Sequence, residues 1–126
     1  MKRERIATAS GPSAIGPYSQ AIVAGEMVFV SGQIPIDPAR GVLIDGDIAA
    51  QTDRVMKNLS AILEAAGSSL DKVVKTTVYL ADLGDFDVMN KTYGKYFTGD
   101  PPARATVQVA KLPKGAALES DAVAVR

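Results

Sequence analysis

The segment DIAAQTDRVMKNLSAILEAAGSSLDKVVKTTVYL, residues 47–80, decides the fold because it carries the most strongly patterned helix and strand of the chain. From 47 to 66 the apolar side chains recur every three or four residues. This spacing predicts an amphipathic helix with Asp47 as its N-cap and Gly67 just beyond its end. Residues 73–80 are rich in β-branched side chains, which is typical of a central strand covered on both faces. Together they indicate helices packed on a sheet.

Three short strands are predicted before this segment, at residues 2–7, 20–24 and 27–31. The second and third are separated only by Gly25-Glu26, which predicts a tight hairpin. A loop rich in Pro and Gly separates the first two strands, and Tyr18 lies just beyond it.

A second amphipathic helix is predicted from 86 to 97, with Asp85 as its candidate cap, and two strands follow at 104–110 and 117–125. The order βββαβαββ predicts one α+β domain over residues 1–126, with a two-layer arrangement of a mixed sheet and both helices on one face. The other face of the sheet needs a cover. We expect further copies of the chain to supply it through symmetric association.

The composition excludes several classes of site. The chain has no His and no Cys, which removes thiolate nucleophiles, Ser-His-Asp triads and nearly all zinc sites, so we expect no metal. Carboxylates, Lys and Tyr remain for acid–base chemistry, and Arg, Lys, hydroxyls and backbone N–H groups remain for anion binding. Lys plus Arg equals Asp plus Glu at 14 each, so no basic surplus favours a nucleic acid as partner.

The N-terminus is charged and lacks the apolar core of a signal peptide, and no apolar run approaches the ~20 residues of a membrane span. These features predict a cytoplasmic protein with no membrane partner.

Arg104 is the strongest candidate for a ligand-binding side chain. Pro101-Pro102-Ala103 form a stiff approach that delivers its guanidinium to the start of a strand, with Thr106 on the same face. A partly buried Arg without a fixed partner favours a bound small carboxylate. The alternative is a structural ion pair with Glu119, across a hairpin closed around residues 112–115, and spacing alone favours this alternative.

Four further positions have weaker signals. Glu119 lies in a strand of Ala and Val, where partial desolvation would raise its pKa toward that of a general acid or base, although a surface Glu is equally compatible. Asn90 is a poor helix former, which indicates a specific hydrogen bond, either in a groove or to a loop carbonyl. Tyr18 and Ser31 occupy loop or strand-end positions, where functional groups are often presented.

Three segments carry a family resemblance: IGPYSQ at 15–20, VSGQIP at 30–35, and PARATV at 102–107 followed by Leu118-Glu119. Together they resemble the Rid (YjgF-like) reactive-intermediate deaminases, and the resemblance extends over essentially the whole chain. It implies a chorismate-mutase-like α+β fold and a homotrimer whose sheets form an inner barrel, with active sites in the clefts between subunits. It also implies cofactor-free hydrolysis of 2-iminobutanoate and 2-iminopropanoate to 2-oxo acids and ammonia.

The resemblance also implies roles for individual residues. Arg104 matches the arginine that holds the substrate carboxylate, and Glu119 matches the glutamate that positions or activates the hydrolytic water. Thr106 stands where the deaminase branch often has Cys, and it leaves its backbone N–H available. Ser120 departs from the usual Ile or Met and places a hydroxyl at a position that is ordinarily buried. The other cleft-lining positions are Tyr18, Ser31, Gly32, Phe86 and Asn90.

Two other functions compete with deamination. A ribonuclease activity is disfavoured because the chain lacks His and a net positive charge. A non-catalytic protein that binds 2-oxo acids, or a chaperone-like protein, would use the same Arg104 cleft, so the sequence separates it poorly from an enzyme.

Overall fold

A six-stranded mixed sheet with two helices packed on one face forms the body of the computed structural model, which describes residues 2–126. The strands are β1 (Arg3–Ile6), β2 (Ala21–Ala24), β3 (Met27–Gln33), β4 (Ile36–Asp37), β5 (Val42–Leu43), β6 (Val73–Leu80), β7 (Ala103–Gln108) and β8 (Leu118–Val125). The helices are α1 (Ile48–Ala65) and α2 (Phe86–Gly94). The predicted α+β class is confirmed. The small β4–β5 ribbon was not predicted, and without it the order is βββαβαββ.

The sheet order is β1-β2-β3-β8-β6-β7, in which only the β6–β7 pair is parallel. β2 and β3 form the predicted hairpin, with Ala24 opposite Met27. Gly25 has a φ of +61° at the first central position of the turn, which glycine adopts without strain.

Helix α1 follows its sequence pattern closely. Asp47 caps it, because its Oδ1 accepts a hydrogen bond of 2.9 Å from the Ala50 N–H. Gly67 follows the helix with a φ of +81°, as expected of a residue that ends a helix. The residues that α1 buries against the sheet include Val55, Met56, Leu59, Ile62 and Leu63. Within residues 2–126, neither helix has the length and apolar character needed to span a membrane.

Helix α2 ends earlier than predicted, at Gly94 instead of residue 97. Tyr93 and Phe97 still pack together, with ring centroids 4.9 Å apart, which explains why both fit the apolar pattern. Asp85 makes no capping bond with its side chain. Its backbone (φ −84°, ψ 0°) lacks the extended conformation from which a capping side chain reaches back, so that prediction was wrong.

The predicted hairpin between the last two strands is also wrong. β7 and β8 lie on opposite sides of β6, and the connection between them passes over the end of that strand. Two backbone bonds hold the connection there, from the Val109 N–H to the Leu80 carbonyl (2.9 Å) and from the Ala81 N–H to the Ala117 carbonyl (3.0 Å). The nine connecting residues, 109–117, are too many for a tight turn and allow this crossing.

The two helices cover one face of the sheet. Thr76, Val78 and Leu80 of β6 are buried on the helix side, whereas the other side, here called the open face, has no covering layer within residues 2–126. Phe29 and Val107 lie there with 47% and 43% of their surface exposed. The expected cover by further copies of the chain stays a prediction.

Candidate active site

Arg104 lies on the helix side of the sheet, because it pairs with the buried Thr76 across β6 and β7. Its guanidinium carbon is 4.9 Å from the centroid of the Tyr93 ring and 5.7 Å from that of Phe86. Both distances are within the range of cation–π contacts. Tyr93 is itself fixed by a hydrogen bond of 2.8 Å between its hydroxyl and that of Thr76. Two aromatic rings therefore position the guanidinium.

The guanidinium of Arg104 has no carboxylate partner in the part of the chain that the structure describes, where the one ion pair joins Lys57 and Asp53 at 3.0 Å. Glu119 cannot be this partner, because it lies on the open face while Arg104 lies on the helix side of the sheet. The predicted structural ion pair is therefore wrong. A positioned guanidinium without an internal partner is suited to binding an external anion.

Two polar atoms near Arg104 also lack partners within residues 2–126. The Oδ1 of Asn90 and the Oγ1 of Thr106 are buried and make no hydrogen bond. Asn90 and Arg104 line the same cleft of about 550 Å³, and Thr106 follows Arg104 on the same face of β7. Since buried polar groups are normally hydrogen-bonded, these atoms indicate a place where a ligand, a water molecule or another subunit completes the site.

Tyr93 is the site residue that sequence reasoning missed. Its apolar spacing in α2 indicated a core residue, and it is indeed 5% exposed, yet its ring also forms part of the Arg104 cleft. Its spacing of three residues from Asn90 on one helix was the available signal. We call Arg104, Thr106, Phe86, Asn90 and Tyr93 the Arg104 group.

Glu119 is half-buried on the open face, between Leu118 and Ser120, which are buried toward the helices. Burial raises the pKa of Glu119 above its ordinary value, and the negative charge of Asp121 on the same face raises it further. A raised pKa makes proton exchange at neutral pH easier for this carboxyl group. Ser120 donates a hydrogen bond of 3.0 Å to the Asp121 carbonyl, so the hydroxyl at this buried position has a partner.

Gly32 lies directly against Glu119. The register between β3 and β8 shifts between Val30 and Gln33, which is the signature of a bulge, and Gly32 lies within that shift. A Cβ at position 32 would lie 2.8 Å from the carboxyl carbon of Glu119, so a side chain there would displace the Glu119 carboxyl group. Glycine at this position therefore lets the Glu119 carboxylate approach the backbone.

Tyr18 and Ser31 line a cavity of about 360 Å³ beside this bulge. Tyr18 is 51% exposed, and its hydroxyl accepts a hydrogen bond of 3.2 Å from the Ile15 N–H. The Ser31 hydroxyl donates to the Ser19 carbonyl at 2.6 Å, so within the chain this hydroxyl is used to hold the backbone. We call Glu119, Gly32, Ser31 and Tyr18 the Glu119 group.

The predicted site residues thus form two groups on the two faces of one sheet. No set of three or more acidic side chains within residues 2–126 is arranged to hold a metal ion. The chemistry available is that of a cation and unpaired polar atoms in one group, and of a half-buried carboxyl group in the other.

Known proteins are similar to this chain over nearly its whole length. A family model described as Endoribonuclease L-PSP matches residues 8–126. Protein DfrA of Myxococcus xanthus is 55% identical over 127 residues, covering 99% of this chain and 97% of its own. A human protein named 2-iminobutanoate/2-iminopropanoate deaminase is 48% identical over 124 residues, covering 98% of this chain and 90% of its own.

Among solved structures, the fold is similar to that of YyfA from Yersinia pestis, described as a protein of unknown function of the conserved Rid protein family. The two superpose with a TM-score of 0.97 at 45% identity, covering 99% of this chain and 100% of that one. The family match spans nearly the whole chain, and the relatives align over almost their full lengths. The chain therefore belongs to the Rid family, whose sequence model is described as Endoribonuclease L-PSP.

Proposed function

We propose that this protein hydrolyses small 2-imino acids, 2-iminobutanoate and 2-iminopropanoate among them, to 2-oxo acids and ammonia. The observation that carries the proposal is the Arg104 guanidinium, held between two aromatic rings and without a carboxylate partner among residues 2–126. Such a group suits the carboxylate that every 2-imino acid carries. The name of the human relative supports the same substrate class.

The proposed reaction needs only positioning and proton transfer. Arg104 binds the substrate carboxylate through paired hydrogen bonds, which orients the C=N bond. Glu119 takes a proton from water as the water oxygen attacks the imine carbon, and then passes this proton to the nitrogen. The hydroxyl proton of the resulting adduct moves through Glu119 to the nitrogen as the C–N bond breaks and the C=O bond forms, so ammonia leaves and Glu119 is again ionised. A positioned carboxylate contributes about 10²–10⁴-fold to such proton transfers.

The two groups lie on opposite faces of one sheet, so we propose that each active site combines the Arg104 group of one subunit with Glu119 of the partner subunit. We further propose that the assembly is a homotrimer in which the open faces are turned inward. This arrangement would cover the exposed Phe29 and Val107 side chains. It would also bring the water-activating carboxylate to the unpaired guanidinium.

The test is a coupled assay in which a dehydratase releases 2-iminobutanoate from threonine, with and without this protein. We expect the protein to accelerate formation of 2-oxobutanoate and ammonia. Arg104→Ala should lower kcat/KM by about 10²–10³-fold, because loss of a desolvated charge pair costs about 2–5 kcal/mol. Arg104→Lys is the matched control. It keeps the positive charge but not the planar guanidinium, so its kcat/KM should fall less than that of Arg104→Ala.

Glu119→Gln should lower kcat more than it raises KM, because it removes a proton acceptor without removing the anion-binding group. Near-normal turnover by a folded Arg104→Ala variant would refute the proposal. If wild-type protein bound 2-oxobutanoate in calorimetry but gave no acceleration, the binding-only alternative would replace it.

The description of the family model favours a second candidate, an endoribonuclease. Against it, the chain has no His and a formal net charge of zero, so it lacks a usual acid–base pair and the electrostatic surface that binds RNA. Incubation with single-stranded RNA at low salt tests it directly. Cleavage that Arg104→Ala abolishes would support this candidate.

A further inference from the structure

The connection between β1 and β2, residues 7–20, is long for two strands that pair with each other. Connections of this length without secondary structure are uncommon in compact domains, and ordered ones are usually functional. This loop carries Tyr18, a member of the Glu119 group, and it ends next to Ser31 on the neighbouring strand β3. The contacts that hold this loop in place therefore also affect the position of Tyr18 in the site.

Gln20 holds the base of the loop from inside. It is only 4% exposed, and its side-chain amide makes three hydrogen bonds to loop backbone. Its Oε1 accepts from the Thr8 N–H at 2.6 Å, and its Nε2 donates to the carbonyls of Thr8 at 3.0 Å and Pro12 at 2.6 Å. Both amide protons and the oxygen are used, so the amide is fully satisfied although it is buried.

The backbone of Ser19 and Gln20 is also bonded to β3. The Ser31 N–H donates to the Gln20 carbonyl at 2.9 Å, and the Ser31 hydroxyl donates to the Ser19 carbonyl at 2.6 Å. Tyr18 is therefore the last loop residue before a doubly fixed segment. The other limb of the loop packs on α1, where a Cβ at Gly11 would lie 2.8 Å from the Ile62 side chain.

We infer that Gln20 is a positioning residue for the Glu119 group: its amide joins the two limbs of the loop and so fixes where Tyr18 stands relative to Ser31 and Gly32. The inference rests on the proposed function for its catalytic consequence. An apolar side chain of the same size would fill the space equally well, so packing alone does not explain an amide here. The three hydrogen bonds from the Gln20 amide to the loop backbone explain why an amide is needed.

Gln20→Met tests the inference, because it keeps the length of the side chain and removes all three bonds. We expect kcat/KM for 2-iminobutanoate to fall roughly 10- to 100-fold, as for an active-site group displaced by about 1 Å. Ser68→Ala is the control. It removes a bond of 2.6 Å to the Val125 carbonyl, at the end of β8 far from Glu119, and should lower thermal stability without lowering kcat/KM.

A double-mutant cycle separates positioning from a general loss of structure. If Gln20 acts through Tyr18, Gln20→Met should change kcat/KM by less than about twofold when Tyr18→Ala is already present. Fully additive effects would overturn the inference. Should Gln20→Met fail to fold, Gln20→Glu serves instead, because it keeps the acceptor for Thr8 and loses both donors.

Amide hydrogen exchange gives a readout that does not depend on activity. Gln20→Met should speed exchange at Thr8 and through residues 8–19 while α1 stays protected. Unchanged exchange in the loop would refute the positioning role even if activity fell. Wild-type protein that is inactive on imines would refute the proposed function and the expected effect of Gln20 on turnover, while exchange would still show whether Gln20 holds the loop.

Discussion

Mixing two inactive variants tests whether each site is built from two subunits. Arg104→Ala disables one group of site residues and Glu119→Gln disables the other, and in a single chain the two groups lie on opposite faces of the sheet. If a site used Arg104 and Glu119 of the same chain, every site in a mixed assembly would lack one of them. If a site takes them from different chains, some sites in a mixed assembly have both.

The expected recovery of activity follows from the fraction of sites in which both groups are intact. In a 1:1 random mixture, half of the Arg104 groups come from Glu119→Gln chains and are intact, and half of the Glu119 groups come from Arg104→Ala chains and are intact. A cyclic assembly therefore contains about one quarter wild-type sites. Since each variant alone is expected to lose about 10²-fold or more, a return to about one quarter of wild-type activity is easily measured.

The assay is imine hydrolysis after the two variants have been unfolded and refolded together, with each variant refolded alone as the control. A mixture no more active than the mean of its components would refute the two-subunit site. A second 1:1 mixture, of wild type with the Arg104→Ala/Glu119→Gln double variant, is an independent check. If each site is shared between two chains, about one quarter of all sites in this mixture should be intact. A site contained within one chain would keep about one half.

Three further predictions concern single positions. The methyl group of Gly32→Ala would displace the Glu119 carboxyl group, so turnover should fall about tenfold or more in steady-state assays while the protein stays folded, and normal turnover would show that this contact does not position Glu119 for catalysis. Asp121→Asn keeps the oxygen that accepts from the Thr77 N–H but removes the charge that raises the Glu119 pKa. The acid limb of the kcat/KM profile should therefore move to lower pH, and an unmoved limb would exclude this influence. Tyr96→Phe loses the bond that the Tyr96 hydroxyl donates to Asp53, which should cost about 1 kcal/mol at pH 7 in denaturant unfolding. Burial and Asp53 raise the Tyr96 pKa to about 12, so this contribution is present below about pH 10 and lost as the pH rises through 12. The same bond lowers the Asp53 pKa, so the difference between the proteins should also shrink as the pH falls below the ordinary Asp value of 3.8.

Local patterns predicted the elements whose signals lie within a few residues. The start of α1, its cap Asp47 and the bounds of β6 follow from apolar spacing and capping chemistry, which act over one or two turns. The end of α2 was overestimated because Phe97 packs on Tyr93 from beyond the helix and so continues the apolar spacing. Spacing alone does not distinguish a helical residue from a neighbour that packs on the same ring.

The site was predicted only in part, for a related reason. The stiff Pro-Pro-Ala approach indicated a positioned Arg104 from local sequence, and that residue does line a cleft. Its relation to Glu119 depends on which strands pair, and the chain places β6 between β7 and β8. Pairing of strands that are far apart in the sequence is set by tertiary contacts that one sequence does not display. Gly32 was included only through the family resemblance, and its contact with Glu119, which depends on the pairing of β3 with β8, was not predicted.

Strand β6 explains why one chain does not complete the proposed site. Arg104 pairs with Thr76, and Glu119 pairs with Tyr79, which is three residues further along the same strand. Side chains in a strand alternate between faces with a period of two, so an odd separation places the two pairs on opposite sides of the sheet. Changing this would require a one-residue slip of β7 or β8, which would expose buried side chains such as Leu118 and Ala122 or turn Arg104 away from Tyr93. The register that buries the core is thus the one that separates the guanidinium from the carboxylate, and this separation is the reason that we propose a site shared between subunits.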